Sequence, residues 1–224
     1  MNVGKAFSYV FEDREWLGKV LLGALFQLLS LILIGIPFVA GYALEIVRNV
    51  HRGDPNPLPA WTNLGEKFVE GLKLVVAVLI YALPLFLLFC CGTVFQQIAA
   101  QGGQGGEMRA IAGIAVAFSL LLSCVQFLYA LFLQLLLPAI YLQYARTSSI
   151  PGALRFGDVF GVIRRVPGPV VLTFLLGIVT GIISSLGLIA CFVGVFVTSI
   201  YATYVNAHLY GQVWREFDAR AALV

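Results

Sequence analysis

Apolar residues occur along this chain in four long runs that contain no Asp, Glu, Lys or Arg. The runs cover residues 20–44, 74–106, 110–145 and 166–214. A bilayer core about 30 Å thick is crossed by about 20 helical residues, so each run can cross once and the last can cross twice. The pattern therefore predicts an all-α polytopic integral membrane protein.

Basic residues decide how these runs divide, because Lys and Arg next to membrane spans remain on the cytoplasmic side. Six membrane segments place thirteen of the fourteen basic residues on one side and leave only Arg109 outside. The segments are a hairpin at 20–50 broken at 35–37, single segments at 72–98 and 110–144, and a hairpin made of 168–186 and 188–211. We therefore predict six segments in the cell membrane, with both termini cytoplasmic.

Two alternatives to this topology follow from the lengths of the runs. If residues 20–44 cross only once, the best division of basic residues is ten to four and five segments result. The first hairpin has about 14 residues per leg, which is short for two full crossings. A re-entrant hairpin satisfies the charge count equally well.

A segment with one apolar and one charged helical face precedes each pair of predicted membrane segments. These segments lie at 3–19, 61–73 and 151–165; in the last, Phe156 and Phe160 oppose Arg155 and Asp158. Such helices lie in the headgroup plane with the apolar face down. We predict one transmembrane domain of three pattern units, 1–53, 54–149 and 150–224. Each unit is a cytoplasmic interfacial amphipathic helix followed by a helical hairpin.

Two loops stand out between the predicted elements. A glycine-rich tip at 102–106 is predicted outside. The inner loop 52–61 carries three prolines, which favour extended backbone, and ends at Trp61.

The most distinctive local sequence includes this inner loop. It consists of Gly41, Arg48, Asn49, Val50, Arg52, Gly53, Leu58, Pro59, Trp61, Phe68 and Gly71. This sequence resembles an uncharacterised prokaryotic membrane family, domain of unknown function 4013, and the resemblance covers most of the chain. The resemblance implies a prokaryotic multi-pass protein and supplies no activity or catalytic residue.

Glu45 is the only acid inside a predicted membrane segment, which makes it the first candidate for a functional polar residue. One interpretation is a proton or cation site. The other is a structural pair with Arg48 or Asn49, one helical turn further on.

Uncharged polar residues and small residues provide the remaining candidates. Ser119, Ser123 and Gln126 share one helical face, where they could line a pore or hydrogen-bond between helices. Gly177 and Gly181 are spaced four apart, as in helices that pack closely within a subunit or between subunits.

Catalytic chemistry has little support in this composition. Apolar residues make up 60% of the chain and charged residues 11%, against about half and a quarter in soluble domains. His51 and His208 lie in no nucleophile or metal-ligand motif, and the four cysteines, Cys90, Cys91, Cys124 and Cys191, lie in apolar runs. We therefore predict a protein that is not an enzyme and has no cofactor or metal site.

Two function classes remain. The first is a non-catalytic membrane scaffold or accessory subunit, with anionic lipid at its cytoplasmic face as one partner. A homo-oligomer or another membrane protein is the expected protein partner, and nucleic acid is not. The alternative is an oligomeric channel or transporter whose path is lined by intramembrane Gln and Ser residues and Glu45. The low polarity of the predicted segments favours the scaffold.

Overall fold

The computed structural model describes residues 1–100, 106–189 and 191–222, with side chains at 98–99, 106–109, 111 and 191–193 left out. Within these ranges the chain is entirely helical in its regular structure, which confirms the all-α prediction. The elements are α1 (Val3–Glu12), α2 (Trp16–Leu29), a 3₁₀ turn (Ser30–Ile32), α3 (Gly35–Arg52), α4 (Leu64–Ala100), α5 (Gly106–Thr147), α6 (Ile150–Ala153), α7 (Phe156–Arg165), α8 (Pro167–Leu186) and α9 (Cys191–Ala221). The tip predicted at 102–106 lies mostly outside the described residues.

Three of the described helices are long and apolar enough to cross a membrane, and the prediction of six membrane segments is wrong. The three candidate spans are Leu64–Gln97, Ala112–Thr147 and Pro167–Leu186. α1 and the helical stretch Trp16–Ile32, which meet at a bend of 100°, make a fourth if they form one broken span. α3 is not a candidate span, because its 18 residues carry three charged side chains, Glu45, Arg48 and Arg52. The arrangement as three hairpins stays a prediction.

The interfacial helices predicted from sequence differ in how they appear in the fold. α1 and α7 are separate short helices, whereas α4 begins at Leu64 and continues unbroken into a candidate span. The segment predicted at 61–73 is therefore not a helix of its own. The positions of α1 and α7 relative to a bilayer stay predictions.

The described chain forms two compact units, one of residues 1–78 with 135–224 and the other of residues 79–134. In the first unit α9 is central and packs against α1, α2, α3, α7 and α8. Its fully buried side chains include Tyr42, Leu44, Ile46, Leu74, Ile140, Leu142, Tyr144, Ile200, Tyr204 and Leu209. The three pattern units follow different boundaries and stay a description of the sequence.

The second unit consists of the distal parts of α4 and α5 and exposes most of its large apolar side chains. Exposed residues on both helices include Leu79, Leu83, Phe86, Phe89, Leu120, Leu121, Phe127 and Leu128. The two helices meet where the ring centroids of Phe95 and Phe118 lie 4.4 Å apart and where Tyr129 Oη donates to the Tyr81 carbonyl at 2.7 Å. A surface that is apolar on all sides suits lipid rather than water.

α3 and α4 cross in the first unit at two glycines that permit backbone contact. A Cβ atom at Gly41 would lie 1.9 Å from the Lys67 carbonyl oxygen, and one at Gly71 would lie 1.8 Å from that of Pro37. No real Cβ atom approaches an oxygen so closely, so both positions require glycine. This crossing fixes the relative position of the charged residues on the two helices.

Candidate functional site

Glu45 lies on α3 and forms an ion pair with Lys67 on α4. Its Oε2 atom is 2.7 Å from Lys67 Nζ, and the lysine side chain is only 6% exposed. Lys67 Nζ also donates to the Thr62 carbonyl oxygen at 2.8 Å. The pairing partners suggested by sequence, Arg48 and Asn49, have other contacts. The carboxylate therefore already has a buried counter-charge supplied by the neighbouring helix.

A second carboxylate, Glu70, joins three helices of the first unit. Arg48 Nη2 of α3 lies 3.2 Å from Glu70 Oε2, and Lys73 Nζ lies 3.0 Å from Oε1. Tyr144 Oη of α5 donates to the same carboxylate at 3.4 Å. Arg48 Nη2 also donates to Ser148 Oγ at 3.0 Å. These hydrogen bonds and ion pairs link α3, α4 and α5.

The sequence did not single out Glu70, because it lies in the charged stretch before an apolar run and resembled a solvated helix face. Its spacing of three from Lys73 was the only signal. The contacts with Arg48 and Tyr144 come from distant parts of the chain. Sequence spacing alone does not show them.

The proline-rich loop between α3 and α4 is held by side chains of neighbouring elements. Three successive carbonyl oxygens accept hydrogen bonds, Pro57 from Asn49 Nδ2 at 3.0 Å, Leu58 from Lys19 Nζ at 3.0 Å and Pro59 from Tyr42 Oη at 2.7 Å. Proline has no backbone N–H and leaves carbonyls free to accept from side chains. The loop is therefore anchored along its length to α2 and α3.

Trp61 closes this loop against α2 and α3. Its ring stacks on Tyr42 and Phe26, with centroids 4.2 and 4.6 Å away, and its Nε1 donates to the Lys19 carbonyl at 2.9 Å. The distinctive Leu-Pro-x-Trp sequence thus forms a packing site. Its residues hold the loop in place rather than present reactive groups.

His208 of α9 lines a cavity of about 560 Å³ in the first unit, together with Asn2, Lys5 and Arg215. The ring is 4% exposed, and Gln212 Nε2 lies 3.0 Å from its Nδ1. Burial, assisted by the positive charges of Lys5 and Arg215, lowers the pKa of His208 to about 4. The imidazole is therefore neutral at physiological pH. It acts as a hydrogen-bonding group there and not as a cation.

The polar residues predicted to line a pore lie in the second unit, and the two serines among them are hydrogen-bonded within α5. Ser119 Oγ donates to the Val116 carbonyl and Ser123 Oγ to the Ser119 carbonyl, both at 2.8 Å. Ser119 is buried, Ser123 is exposed and Gln126 is half-buried. Hydroxyls bonded to their own helix need no partner helix. A pore-lining role for the three residues stays a prediction.

Gly177 and Gly181, predicted for helix packing, have different environments on α8. Gly177 is buried and its carbonyl accepts a hydrogen bond from Thr180 Oγ1 at 3.0 Å. Thr180 Oγ1 in turn accepts from Asn206 Nδ2 of α9 at 3.1 Å. Gly181 is exposed, and a Cβ there would meet no atom within 4 Å. Packing of Gly181 against another subunit stays a prediction.

A second cavity in the first unit, of about 470 Å³, is lined by arginines. The sequence did not predict it, because Arg146, Arg155 and Arg165 are nine and ten positions apart and follow no helical repeat. Their closeness depends on how α5, α7 and α9 pack. In the part of the chain that the structure describes, no three His, Cys, Asp or Glu side chains are arranged to hold a metal ion.

The family comparison agrees with the resemblance seen in the sequence. The family model described as Protein of unknown function (DUF4013) matches residues 24–193. The chain belongs to this family. The DUF4013 match runs from α2 to the first turn of α9 and includes the anchored loop and the crossing of α3 with α4. No curated protein matches the chain, and no solved structure matches it either.

Membership in DUF4013 assigns no activity, since its description is one of unknown function. The motif residues that carry the resemblance have structural roles in this chain. Gly41 and Gly71 permit the helix crossing, and Trp61 anchors the loop. Function must therefore be argued from the charges, cavities and apolar surfaces described above.

Proposed function

We propose that this protein is a non-catalytic membrane scaffold or accessory subunit. The observation that carries this proposal is the ion pair between Glu45 and the buried Lys67. A transport site needs a polar group that can exchange its partner for an ion or proton. The strongest acidic candidate for such a site instead holds two helices together.

The proposed location is the cell membrane, with both termini in the cytoplasm. The apolar second unit supports insertion into the bilayer, as do the three candidate spans. In the first unit, exposed apolar residues also occupy the turns after α2 and α8, where Leu33 is 71% and Ile189 is 83% exposed. The orientation of α4 and α5 is supported by Lys67, Lys73 and Arg146 beside their cytoplasmic ends, whereas Arg109 is the only Lys or Arg between residues 74 and 145. Three spans alone would place the termini on opposite sides, so a cytoplasmic C-terminus requires α8 and the start of α9 to enter and leave the bilayer on the cytoplasmic side.

Single-cysteine labelling in intact cells tests this location. In a background with the native cysteines replaced, cysteines at Asn56 and Ser148 are expected to react only after permeabilisation. A cysteine at Gln97 is expected to react from outside. External labelling of Asn56 would contradict the orientation, and recovery of the protein in the soluble fraction would contradict membrane insertion.

The proposed partners are anionic lipid at the cytoplasmic face and either a second copy or another membrane protein. Basic residues flanking the candidate spans support lipid contact. The exposed apolar faces of α4, α5 and α8 offer surfaces for helix association in the bilayer. Cross-linking in native membranes is expected to give a defined complex larger than one chain.

Liposomes that contain the purified protein test the scaffold against a transporter. We expect no flux of protons, sodium or potassium above that of empty liposomes. Flux in the wild type that Glu45→Gln abolishes, with folding and oligomer size unchanged, would overturn the scaffold proposal. Glu66→Gln is the matched control, because Glu66 is exposed on α4 and forms no ion pair with a described residue.

The alternative is an oligomeric channel with its path between copies. The exposed Ser123 and half-buried Gln126 on α5 favour it over a path within one chain. If this alternative is correct, a cysteine at Gln126 will cross-link between copies. Modification of that cysteine by a charged reagent will then reduce flux.

A further inference from the structure

The arginine-lined cavity of the first unit lies between α5, α7 and α9. It encloses about 470 Å³, and its lining includes Gln143, Arg146, Arg155, Asp158, Arg165 and Phe217. Three arginines and one carboxylate leave its wall with a net positive charge. One side of the cavity is formed by Gly157 and Gly161. A Cβ built at either position would meet no atom within 4 Å, so the space beside them is open.

Two of the arginines lie against the same aromatic ring. Arg146 Cζ is 5.3 Å and Arg165 Cζ is 5.0 Å from the centroid of the Phe217 ring. Neither guanidinium has a carboxylate within 4.0 Å in the described part of the chain. Both positive groups line the same cavity, so an anion bound there would be attracted by both.

The third arginine is only weakly neutralised. Arg155 Nη1 lies 4.0 Å from Asp158 Oδ2, and both side chains are more than half exposed. An exposed pair at this distance contributes little and is easily exchanged. Arg155 can therefore turn its guanidinium toward a ligand in the cavity.

Gln143 supplies an independent indication of a ligand. It lines the cavity, is 6% exposed, and its side-chain amide forms no hydrogen bond with a described residue. Only its backbone carbonyl is used, as acceptor for Thr147 Oγ1 at 2.8 Å. Neither amide atom is fully buried, since Trp214 Nε1 is the one fully buried side-chain nitrogen or oxygen without a partner in the described part of the chain, so the amide remains accessible from the cavity. An anionic oxygen in the cavity would accept from it.

We propose that this cavity binds a phosphate group carried by an organic ester. The planar guanidinium fork matches two phosphate oxygens at once, and several such groups around one cavity are typical of phosphate sites. The cavity is larger than a bare phosphate requires, so part of the esterified group fits as well. The ligand is the headgroup of an anionic phospholipid or a soluble phosphate ester.

The position of the cavity in the chain supports a phospholipid headgroup as one source. One candidate span ends at Thr147 and the next begins at Pro167, so the cavity lies at the polar ends of two spans. Lipid phosphates occupy the same depth of a bilayer. This source rests on the proposed membrane location, whereas the phosphate chemistry does not.

Binding by the purified full-length protein tests the site. For the lipid, the protein is placed in nanodiscs of phosphatidylcholine with or without phosphatidylglycerol, and retained lipid is measured by native mass spectrometry. For the soluble source, glycerol 3-phosphate and inorganic phosphate are titrated by calorimetry. Binding of phosphatidylglycerol alone identifies the lipid, and comparable binding of glycerol 3-phosphate identifies a soluble ester.

The variants Arg146→Gln and Arg165→Gln remove the two guanidinium groups beside Phe217. Each is expected to weaken phosphate binding by about tenfold or more, as for the loss of a charge-assisted hydrogen bond. Arg164→Gln is the matched control: it removes the same charge from the neighbouring position, which does not line the cavity. This control is expected to change binding less than about twofold. Arg165→Lys keeps the positive charge but cannot donate two parallel hydrogen bonds to a phosphate, so its loss of phosphate binding should lie between those of the wild type and Arg165→Gln.

Two results would overturn the site. One is equal loss of binding in Arg164→Gln and Arg165→Gln, which would indicate diffuse surface charge. The other is a wild-type protein that binds none of the three phosphate probes. If Arg146→Gln or Arg165→Gln fails to fold, Gln143→Leu and Arg165→Lys give the same comparison. A membrane-inserted protein without phosphate binding refutes only this site, whereas a soluble protein refutes the proposed location.

Discussion

The Lys67 ammonium of α4 lies 2.7 Å from the Glu45 carboxylate of α3, at the place where the two helices cross. Gly41 and Gly71 form the crossing itself, with space for backbone but for no side-chain atom. Close approach and charge pairing therefore depend on each other. An ion pair at this position orients the helices, which is the role expected of a scaffold rather than of a transport site.

Glu45→Gln and Lys67→Gln are each expected to destabilise the fold by about 1–2 kcal/mol. The lysine variant loses a buried charge, and the glutamate variant leaves that charge with only the Thr62 carbonyl. The double variant should recover part of the loss, as coupled residues do. Thermal unfolding of the purified protein in detergent measures the effect. Additive losses would show that the two groups are not coupled.

Gly71→Ala is expected to destabilise the first unit by about 3 kcal/mol or more, because a Cβ there would overlap the Pro37 carbonyl. The matched control is Gly65→Ala on the same helix, where a Cβ meets no atom within 4 Å. Alanine favours helix, so the control should be neutral or slightly stabilising. The apparent Tm of each variant measures the difference. Equal behaviour of the two variants would contradict the close crossing.

The helical fold and its most apolar helices were predictable from the sequence, because long uncharged runs leave few other structures in a bilayer. The number of membrane segments was not. The prediction treated every apolar run as membrane-inserted, but α3 and α9 form the centre of the first unit. Glu45 on α3 and His208 on α9 are held there by protein partners. Apolar character alone does not distinguish a protein core from lipid.

The candidate site was predictable only in part. The sequence left Glu45 open as a proton or cation site or as a structural pair with Arg48 or Asn49, and the partner found is Lys67 of the next helix. Lys67 appeared in the sequence as part of a solvated face, yet it is almost fully buried. The residues that line the arginine cavity come from three helices, and their spacing in the sequence does not indicate that they lie together.

Trp61→Phe is expected to weaken the anchored loop by about 1 kcal/mol, since the ring still stacks but the hydrogen bond to Lys19 is lost. The control is Trp16→Phe, because the Trp16 indole N–H donates to no described residue. Limited trypsin cleavage after Arg52, at the start of the loop, measures loop opening. Faster cleavage in Trp61→Phe than in Trp16→Phe is expected. Equal rates would contradict the anchoring role of the indole N–H.

Acidification is expected to destabilise the protein through His208. The folded state lowers the pKa of this imidazole from its ordinary value of 6.5 to about 4. Between these two values the unfolded chain binds a proton that the folded chain does not, so stability falls as the pH falls. From pH 7.5 to 5 the expected loss is about 2 kcal/mol.

His208→Gln isolates this contribution to the pH dependence. Glutamine keeps a hydrogen-bonding side chain beside Gln212 but cannot be protonated in this range, so the variant should lose less stability between pH 7.5 and 5. The positive charges of Lys5 and Arg215 face the same ring and oppose its protonation, while Glu12 favours it. Lys5→Gln should therefore reduce the acid sensitivity without removing it. Parallel curves of apparent Tm against pH for the wild type and His208→Gln would assign the acid sensitivity to other groups.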